Sequence, residues 1–367
     1  MINNQLTAHE LGTNEIDKLS DSLLISIINE LPIKDAVGTS VLAHKWRHLW
    51  KWIPSLNFNH NLGKTVGQKS HRLATIVKHV FSSHLGHISS CQILHYSCTC
   101  EFDMAQWLEH LSKRGIHKLV LTCNDESVST NNTWGWGGLY STVVHCNSLQ
   151  ELELRSWWLM NATPLMGFCN LRTLTLRSVV LTEKSIMDII SNCAVLEWLA
   201  LLDCNIFSSV NVHAPKLKVL ELECLSCLNI NIDAPSLRTL AISSVSFRSI
   251  DINAASLTTL AISSVRFRYI KLEVPNIQIF RTDGFFEEHM DFLSQCVGLY
   301  GMSGKNWFKN LRKLFIGVQL TNIRHGIALA FVLKNCVCIQ VLHLEILHKN
   351  GIPLVLRVEK EKNQPKR

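Results

Sequence analysis

The triplet leucine-x-x-leucine-x-leucine returns along most of this chain, and its period leaves few folds open. It starts at Leu149, Leu171, Leu196, Leu217, Leu237 and Leu257 and, with isoleucine substituting in places, again at Leu311 and Ile339. The first six starts follow one another at a short, nearly constant interval, within the roughly 20 to 29 residues that one supersecondary unit of a stacked leucine-rich array fills. In an extended segment residues two apart share a face. Leu152 and Leu154 therefore point one way while Glu151, Glu153 and Arg155 point the other. No unit can bury its own leucines, but stacked units share one continuous core. The expected fold class is α/β, with a body that is a curved solenoid built on a parallel sheet.

Three consecutive units are nearly copies. Ala214-Pro215, Ala234-Pro235 and Ala254-Ala255 precede Leu217, Leu237 and Leu257 at equal intervals, and Val274-Pro275 keeps the beat. Between them Val210–Val212, Ile230–Ile232, Ile250–Ile252 and Ile270–Leu272 alternate apolar with polar residues, which predicts a second short strand on the outer side and leaves no room for a long helix. Glu183 to Asn192 and Ile327 to Asn335 instead carry helical spacing. Cys146, Cys193 and Cys336 each sit three residues before a unit's first leucine or isoleucine, and Cys204 follows a unit's last leucine. These thiols read as small buried hydrophobes. Arg72 to Leu85 and Met104 to Arg114 are amphipathic helices leading into a first, irregular unit at Ile116 to Leu121. The organisation expected is a helical bridge at 58–115, repeats at 116–347 and a polar basic tail at 348–367. The stretch Thr282 to Asn310 breaks the rhythm.

Residues 13–57 form a separate unit. Leu23, Leu24, Ile27, Ile28 and Leu31 recur with helical spacing. Ser20 stands at the N-cap position, Asp21 suits the first turn, and Pro32 denies a backbone donor to the next. A second short helix is expected near Lys34, and a third from Val41 to Trp50 with Leu42, Trp46, Leu49 and Trp50 on one stripe. Three helices in so short a stretch bury little of their own surface, so part of the apolar face is expected to meet a partner.

The strings Leu19-x-Asp21-x-Leu23-Leu24, Leu31-Pro32-x-Lys34-Asp35-Ala36-Val37-x-Thr39-Ser40 and Trp46-Arg47-x-Leu49-Trp50 closely resemble the F-box of plant F-box and leucine-rich-repeat proteins. The repeats extend the resemblance over most of the chain, and the C-terminal region resembles a shortened form of the FBD-like extension that many members carry. The resemblance implies that the F-box docks on a Skp-type adaptor, and through it on a cullin. By motif position the contact would involve Leu19, Leu23, Leu24, Ile27, Leu31, Pro32, Trp46, Leu49 and Trp50. Two departures bear on that contact: Ser20 replaces the family's usual proline, and Ala43-His44 replaces a serine-lysine pair.

Composition excludes several other classes. Hydrophobic residues make up 47% and charged residues 18%, too apolar for a disordered chain. No window supplies the roughly 18 apolar residues of a membrane span, and the first residues lack the pattern of a secretory signal. A soluble intracellular protein, in the nucleus and/or cytoplasm, is expected, with its 13 cysteines reduced. His84, His87, Cys91, His95, Cys98 and Cys100 are of the right types for zinc, yet their spacing matches no paired arrangement, and Cys224-x-x-Cys227 has no second pair. No nucleophile elbow, phosphate loop or dinucleotide fingerprint is present. The net charge of +7 comes without the basic stripe of a nucleic-acid binder.

No metal, no cofactor and no catalysis are therefore expected. The function expected is that of a substrate-recognition adaptor of a cullin-based SCF ubiquitin ligase, binding a protein target on the outward strand residues. Those include Glu151, Glu153, Arg155, Arg177, Trp198, Glu221 and Glu223, with Trp198 favoured as a hot-spot residue type. The alternative is a repeat scaffold whose N-terminal helices only cap the solenoid.

Overall fold

The computed structural model describes residues 15–58, 70–95, 101–123, 146–159, 169–206, 209–265, 269–282, 307–318, 323–346 and 354–359. The N-terminal unit comprises a 3-10 turn at Glu15–Lys18, helix α1 (Asp21–Asn29), helix α2 (Ile33–Gly38) and two further 3-10 segments, Thr39–Val41 and His44–Trp52. The third helix expected is thus a pair of 3-10 turns. The Thr39 hydroxyl donates to the Ala36 carbonyl at 2.7 Å and the Ser40 hydroxyl to that of Val37 at 2.6 Å, offering the backbone an alternative to helical bonding. Ala43, in extended conformation (φ −158°, ψ 163°), then interrupts the run. Within His44–Trp52 the three-residue spacing of Trp46 and Leu49 places both inward, as a 3-10 turn requires.

From here the chain alternates. Strand β1 (Ser55–Phe58) leads to α3 (Ser70–Ser83), β2 (Ser90–His95), α4 (Glu101–Lys113) and β3 (Lys118–Cys123). Then come β4 (Glu151–Arg155), β5 (Trp158–Leu159), β6 (Thr173–Arg177), β7 (Val180–Leu181), α5 (Glu183–Asn192), β8 (Trp198–Leu202), β9 (Asn205–Ile206) and β10 (Ser209–His213). The near-copies supply β11 (Val219–Glu223), β12 (Asn229–Asp233), β13 (Thr239–Ser243), β14 (Ser249–Asn253), β15 (Thr259–Ser263) and β16 (Tyr269–Glu273). The described part closes with β17 (Ile279–Thr282), β18 (Lys313–Val318), α6 (Ile323–Asn335), β19 (Val341–Ile346) and β20 (Leu354–Glu359).

One 13-stranded sheet takes a strand from every unit in sequence order, β1-β2-β3-β4-β6-β8-β11-β13-β15-β17-β18-β19-β20. Every adjacent pair is parallel except the last. On the opposite side β10, β12, β14 and β16 form a second parallel sheet, as the alternating segments predict, and β5, β7 and β9 form a third. Between these layers one apolar cluster runs unbroken from Leu24 to Cys336. The repeat leucines fill it: Leu152, Leu174, Leu199, Leu220, Leu240 and Leu260 are all buried.

The strand order adds detail to the expected organisation. The sheet begins at Ser55, with β1 at the end of the unit expected at 13–57, and takes β2 from the bridge expected at 58–115. Both strands keep the inward spacing with other apolar residues, Ile53, Leu56 and Phe58 leading through β1 and Ile88, Cys91 and Ile93 through β2, all buried. The tail is not merely polar, because Leu354–Glu359 adds a final strand. The interruption after Thr282 leaves the sheet intact, since Ile279 pairs directly with Lys313.

A recurrent backbone device turns each rung. Ser156, Ser178, Asp203, Cys224, Ser244 and Ser264 immediately follow β4, β6, β8, β11, β13 and β15, and all have φ between 50° and 59°. The left-handed conformation costs a non-glycine residue about 1–2 kcal/mol. In return, the amide of each of the first five donates to the last strand carbonyl of the next unit, as Ser244 does to Ser263 at 2.8 Å. Helix α5 has its own cap: Thr182 Oγ1 accepts from the Ser185 amide at 3.0 Å. Trp157 is buried and its indole donates to the Leu121 carbonyl at 2.9 Å. The side chain of its neighbour Trp158 lies outside the described residues, as do Trp134 and Trp136.

Leu240→Ala, at a fully buried position in β13, should cost about 2–5 kcal/mol by chemical denaturation. Ser244→Val should destabilise by about 1 kcal/mol or more, whereas Ser244→Gly should be neutral or stabilising, because only glycine escapes the left-handed penalty; equal effects of the two would show that this backbone is unstrained. His84 is buried, and burial holds its pKa below the ordinary 6.5, with its Nδ1 unpartnered. Because the unfolded state binds the proton more readily, this stability is complete above about pH 6.5 and declines as pH falls below it. Denaturation midpoints should therefore drop between about pH 7.5 and about pH 5.5, and less steeply in His84→Gln.

Candidate functional site: a two-faced helix and the outward strand face

Helix α1 has two different faces. Leu24 and Ile28 are wholly buried, whereas Leu23 and Ile27, four residues apart and so on one stripe, are 54% and 48% exposed. Ser20 occupies the N-cap position, but its hydroxyl lies 3.0 Å from that of Ser22 and makes no cap bond to the helix. The helix start is instead held by Lys45, whose ammonium donates to the Leu19 carbonyl and lies 3.7 Å from the Asp21 carboxylate. Pro32 opens α2, its carbonyl accepting from the amides of Asp35 and Ala36.

These positions sort the residues assigned by motif. Leu24, Trp46, Leu49 and Trp50 are spent on the chain's own core, so in this structure they are not a free contact face. Leu19 and Leu31 are half-buried against that core, and Pro32 is half-exposed. Leu23 and Ile27 present themselves to solvent, together with Val41, Leu42 and Trp52, which the motif did not assign. Helical periodicity alone cannot make that distinction, because it groups Leu23, Leu24, Ile27 and Ile28 as one wide stripe. The signal available for Val41 and Leu42 was the pair of hydroxyl residues before them, which breaks the helix on which they would have packed.

The second surface is the outward face of the long sheet, where register aligns residues into rows. One row reads Glu151, Thr173, Trp198, Val219, Thr239 and Thr259. The next reads Glu153, Thr175, Ala200, Glu221, Ala241, Ala261, Arg281, Phe315 and His343. A third carries Arg155, Arg177, Leu202, Glu223, Ser243 and Ser263. All seven residues expected to meet a target therefore share this face.

Their chemistry is uneven. Glu151 pairs with Lys118 at 2.8 Å, an exposed pair that contributes little to stability, and Glu153 with Arg155 at 2.7 Å, a part-buried pair. At the strand entrances, hydrogen bonding to Lys218 and the charge of Arg172 hold the Glu197 carboxyl below its usual range. Glu221 is shifted the other way, by burial first and by the Glu223 carboxylate second. Trp198 is 41% exposed beside these acids. Thr239, Ala241 and Ser243, repeated as Thr259, Ala261 and Ser263, form a flat neutral stretch. Beyond it the Arg281 guanidinium lies 4.8 Å over the Phe315 ring, which is 5.8 Å from His343. Sequence reasoning missed these three, although the rule that selects Glu153 and Glu221, the residue between two inward positions, selects them too.

Among the described residues no three histidine, cysteine, aspartate or glutamate side chains are placed to hold a metal. His84 Nε2 is 2.9 Å from the Ile53 carbonyl, and His87 Nδ1 is 3.2 Å from that of Arg114. Burial pushes the thiol of Cys91 up, and takes Cys193 and Cys336 to about 12 and Cys204 to about 11, which leaves little thiolate for chemistry. Cys98 and Cys100, and the side chain of His95, lie outside the described residues. On the outer sheet a shallow depression of about 320 Å³ has a mostly polar lining whose side chains bond each other, Asn231 to Asn211 and Lys271 to Asp251.

Residues 104–283 match the family model for the LRR repeats of the FBD-associated F-box protein At5g56370. Three curated relatives come from Arabidopsis thaliana. The F-box/LRR-repeat protein At3g26922 is 31% identical over 223 residues, 58% of this chain and 68% of the relative. The F-box protein At1g80960 is 30% identical over 57% of this chain, and the F-box/FBD/LRR-repeat protein At1g13570 is 30% identical over the same share. This chain spans only 45% and 48% of those two. With a short N-terminal helical unit, a continuous rung-by-rung sheet and these likenesses, the chain belongs to the plant F-box and leucine-rich-repeat protein family.

Proposed function

We propose that the protein is a bivalent adaptor: α1 and its neighbouring turns hold a Skp-type adaptor, and through it a cullin scaffold, while the concave strand face holds a protein to be ubiquitinated. The observation that carries this reading is the exposure of Leu23 and Ile27 on a short helix whose other side is sealed. Two large aliphatic side chains left in water on one stripe are a feature of partner surfaces. The strand face supports the other half, because it offers a Trp, two acids and an Arg-Phe-His cluster on rungs held in register. Such a protein contributes proximity rather than bond chemistry. Holding a target lysine beside a charged ubiquitin carrier raises its effective concentration to about the mM range. It would act inside the cell, in the nucleus or cytoplasm, where such ligases work.

The burial of Trp46, Leu49 and Trp50 also favours a second role for the same helices, the capping of the solenoid's first rung, since the apolar cluster continues through them into β1. Capping and docking use opposite sides of α1 and are compatible. The alternative of a scaffold without any ligase keeps only the capping side.

Leu23→Lys with Ile27→Lys should abolish co-purification with a Skp-type adaptor, weakening it by about a hundredfold or more, with the thermal midpoint changed little. Leu24→Ala should instead cost about 2–5 kcal/mol of stability. If the wild-type chain does not bind the adaptor, or binds equally well with both lysines in place, the ligase reading is wrong.

A further inference from the structure

Where β8, β11 and β13 lie side by side, the outward face of the long sheet carries charge only on Glu221 and Glu223. Glu221 stands between Ala200 and Ala241 in its row, and Glu223 between Leu202 and Ser243 in the next. Two positions apart on one strand, the acids share a face, with Cα atoms roughly 6.6 Å apart. Alanine on either side leaves Glu221 in a notch. Ala200 is 2% and Leu202 8% exposed although register turns both outward, so the side chains around them already shut out water. Burial first, and the neighbouring Glu223 second, hold the pKa of Glu221 above its ordinary value. Its ionised form is thus poorly hydrated and repelled by the next acid along.

The bases of this neighbourhood are engaged elsewhere. Lys218 and Arg172 both bond Glu197, at 2.7 Å and 2.6 Å, and Arg155 bonds Glu153 at 2.7 Å. Arg177 shares the row of Glu223, but Leu202 stands between them. Among the described residues no ion pair reaches Glu221 or Glu223. A partly desolvated charge without a counter-charge is unfavourable, and a cation brought by a partner relieves it. The next feature selects the kind of cation. Trp198 is 41% exposed and lies diagonal to Glu221, since it pairs with Val219; strand spacing and rise put their Cα atoms about 8 Å apart. A metal ion gains little here, because calcium takes about six to eight oxygen ligands and an indole offers none. An ammonium or guanidinium uses both features, its charge meeting the carboxylates and its body the indole face. Guanidinium does so better, being planar for stacking and forked for carboxylates.

We propose that the target protein docks through a segment whose basic side chain, arginine in preference to lysine, stacks on Trp198 and sets its charge against Glu221 and Glu223. The assignment rests on reading this face as the target surface and adds the chemistry of what that face takes. The residues flanking the base in the target are uncharged, because they lie over the neutral Thr239, Ala241 and Ser243.

Selection from a randomised peptide library on the immobilised full chain tests this. Peptides retained by the wild type should share an arginine or lysine at one position. Glu221→Gln with Glu223→Gln, which keeps the shape of both side chains, should retain peptides without that preference, with circular dichroism unchanged. For a selected peptide, fluorescence anisotropy should show binding weakened about tenfold or more when its arginine is exchanged for neutral citrulline, and similarly by Trp198→Ala. In the double glutamine variant the citrulline exchange should matter less than about twofold, because the charge it removes has lost its partner. A wild type that retains no peptide, or retains peptides without a shared base, overturns the proposal. So does a citrulline penalty undiminished in the double variant, or affinity unchanged by Trp198→Ala. A chain that selects basic peptides but fails to bind a Skp-type adaptor leaves this assignment standing and removes only the ligase half of the reading above.

Discussion

Everything in this molecule depends on leucines that no single unit can bury. A rung of about twenty residues exposes one apolar side, and the only way to hide it is to lay the next rung alongside in parallel register. Register is fixed because a slip of one residue would turn the entire inward set outward. Once Leu220 lies beside Leu199 and Leu240, the identity of every outward residue in a row is fixed as well. The binding surface is thus a by-product of core packing. Trp198 and Glu221 are positioned by residues on the other side of the strand, which carry no functional chemistry.

The left-handed turn after each strand meets the same demand at the backbone. Six non-glycine residues accept an unfavourable conformation so that the chain can leave the sheet in time to start the outer layer. The amide bond to the next rung then ties adjacent turns together. Where the outer layer is a strand the period is at its shortest, and where it is helix α5 the period lengthens, with Ser185 reaching back to the Leu159 carbonyl to seat that helix. Unit length is set by what covers the outside, while the inner strand stays the same.

The repeats were legible in the sequence because a strand's two-residue periodicity and a fixed interval are both visible in one dimension. Helices α3, α4, α5 and α6 were also visible, each as a stripe. What remained hidden depended on contacts between distant parts. That Ser55–Phe58 and Ser90–His95 join the same sheet follows from the pairing of β1 with β2 and of β2 with β3, not from a repeated leucine triplet. That Leu24 turns in while Leu23 turns out depends on where the 3-10 turns pack. The Arg281, Phe315 and His343 cluster was hidden for a different reason: a long stretch of chain separates β17 from β18, and only the direct pairing of Ile279 with Lys313 restores the row.

The near-identity of β13 and β15 has a consequence for selectivity. Each presents Thr, Ala and Ser outward at matching positions, so a ligand segment that touches only this part of the face finds two equivalent seats, one strand spacing or about 4.8 Å apart. Translational degeneracy of that kind leaves a partner free to slide by a rung. Its position must then be decided at the ends of the flat stretch, by the indole of Trp198 and the acids of β11 on one side and by the stacked Arg281 and Phe315 on the other. The middle of the platform sets the distance between two points of contact, and a partner is read by whether its own two contact groups match that span.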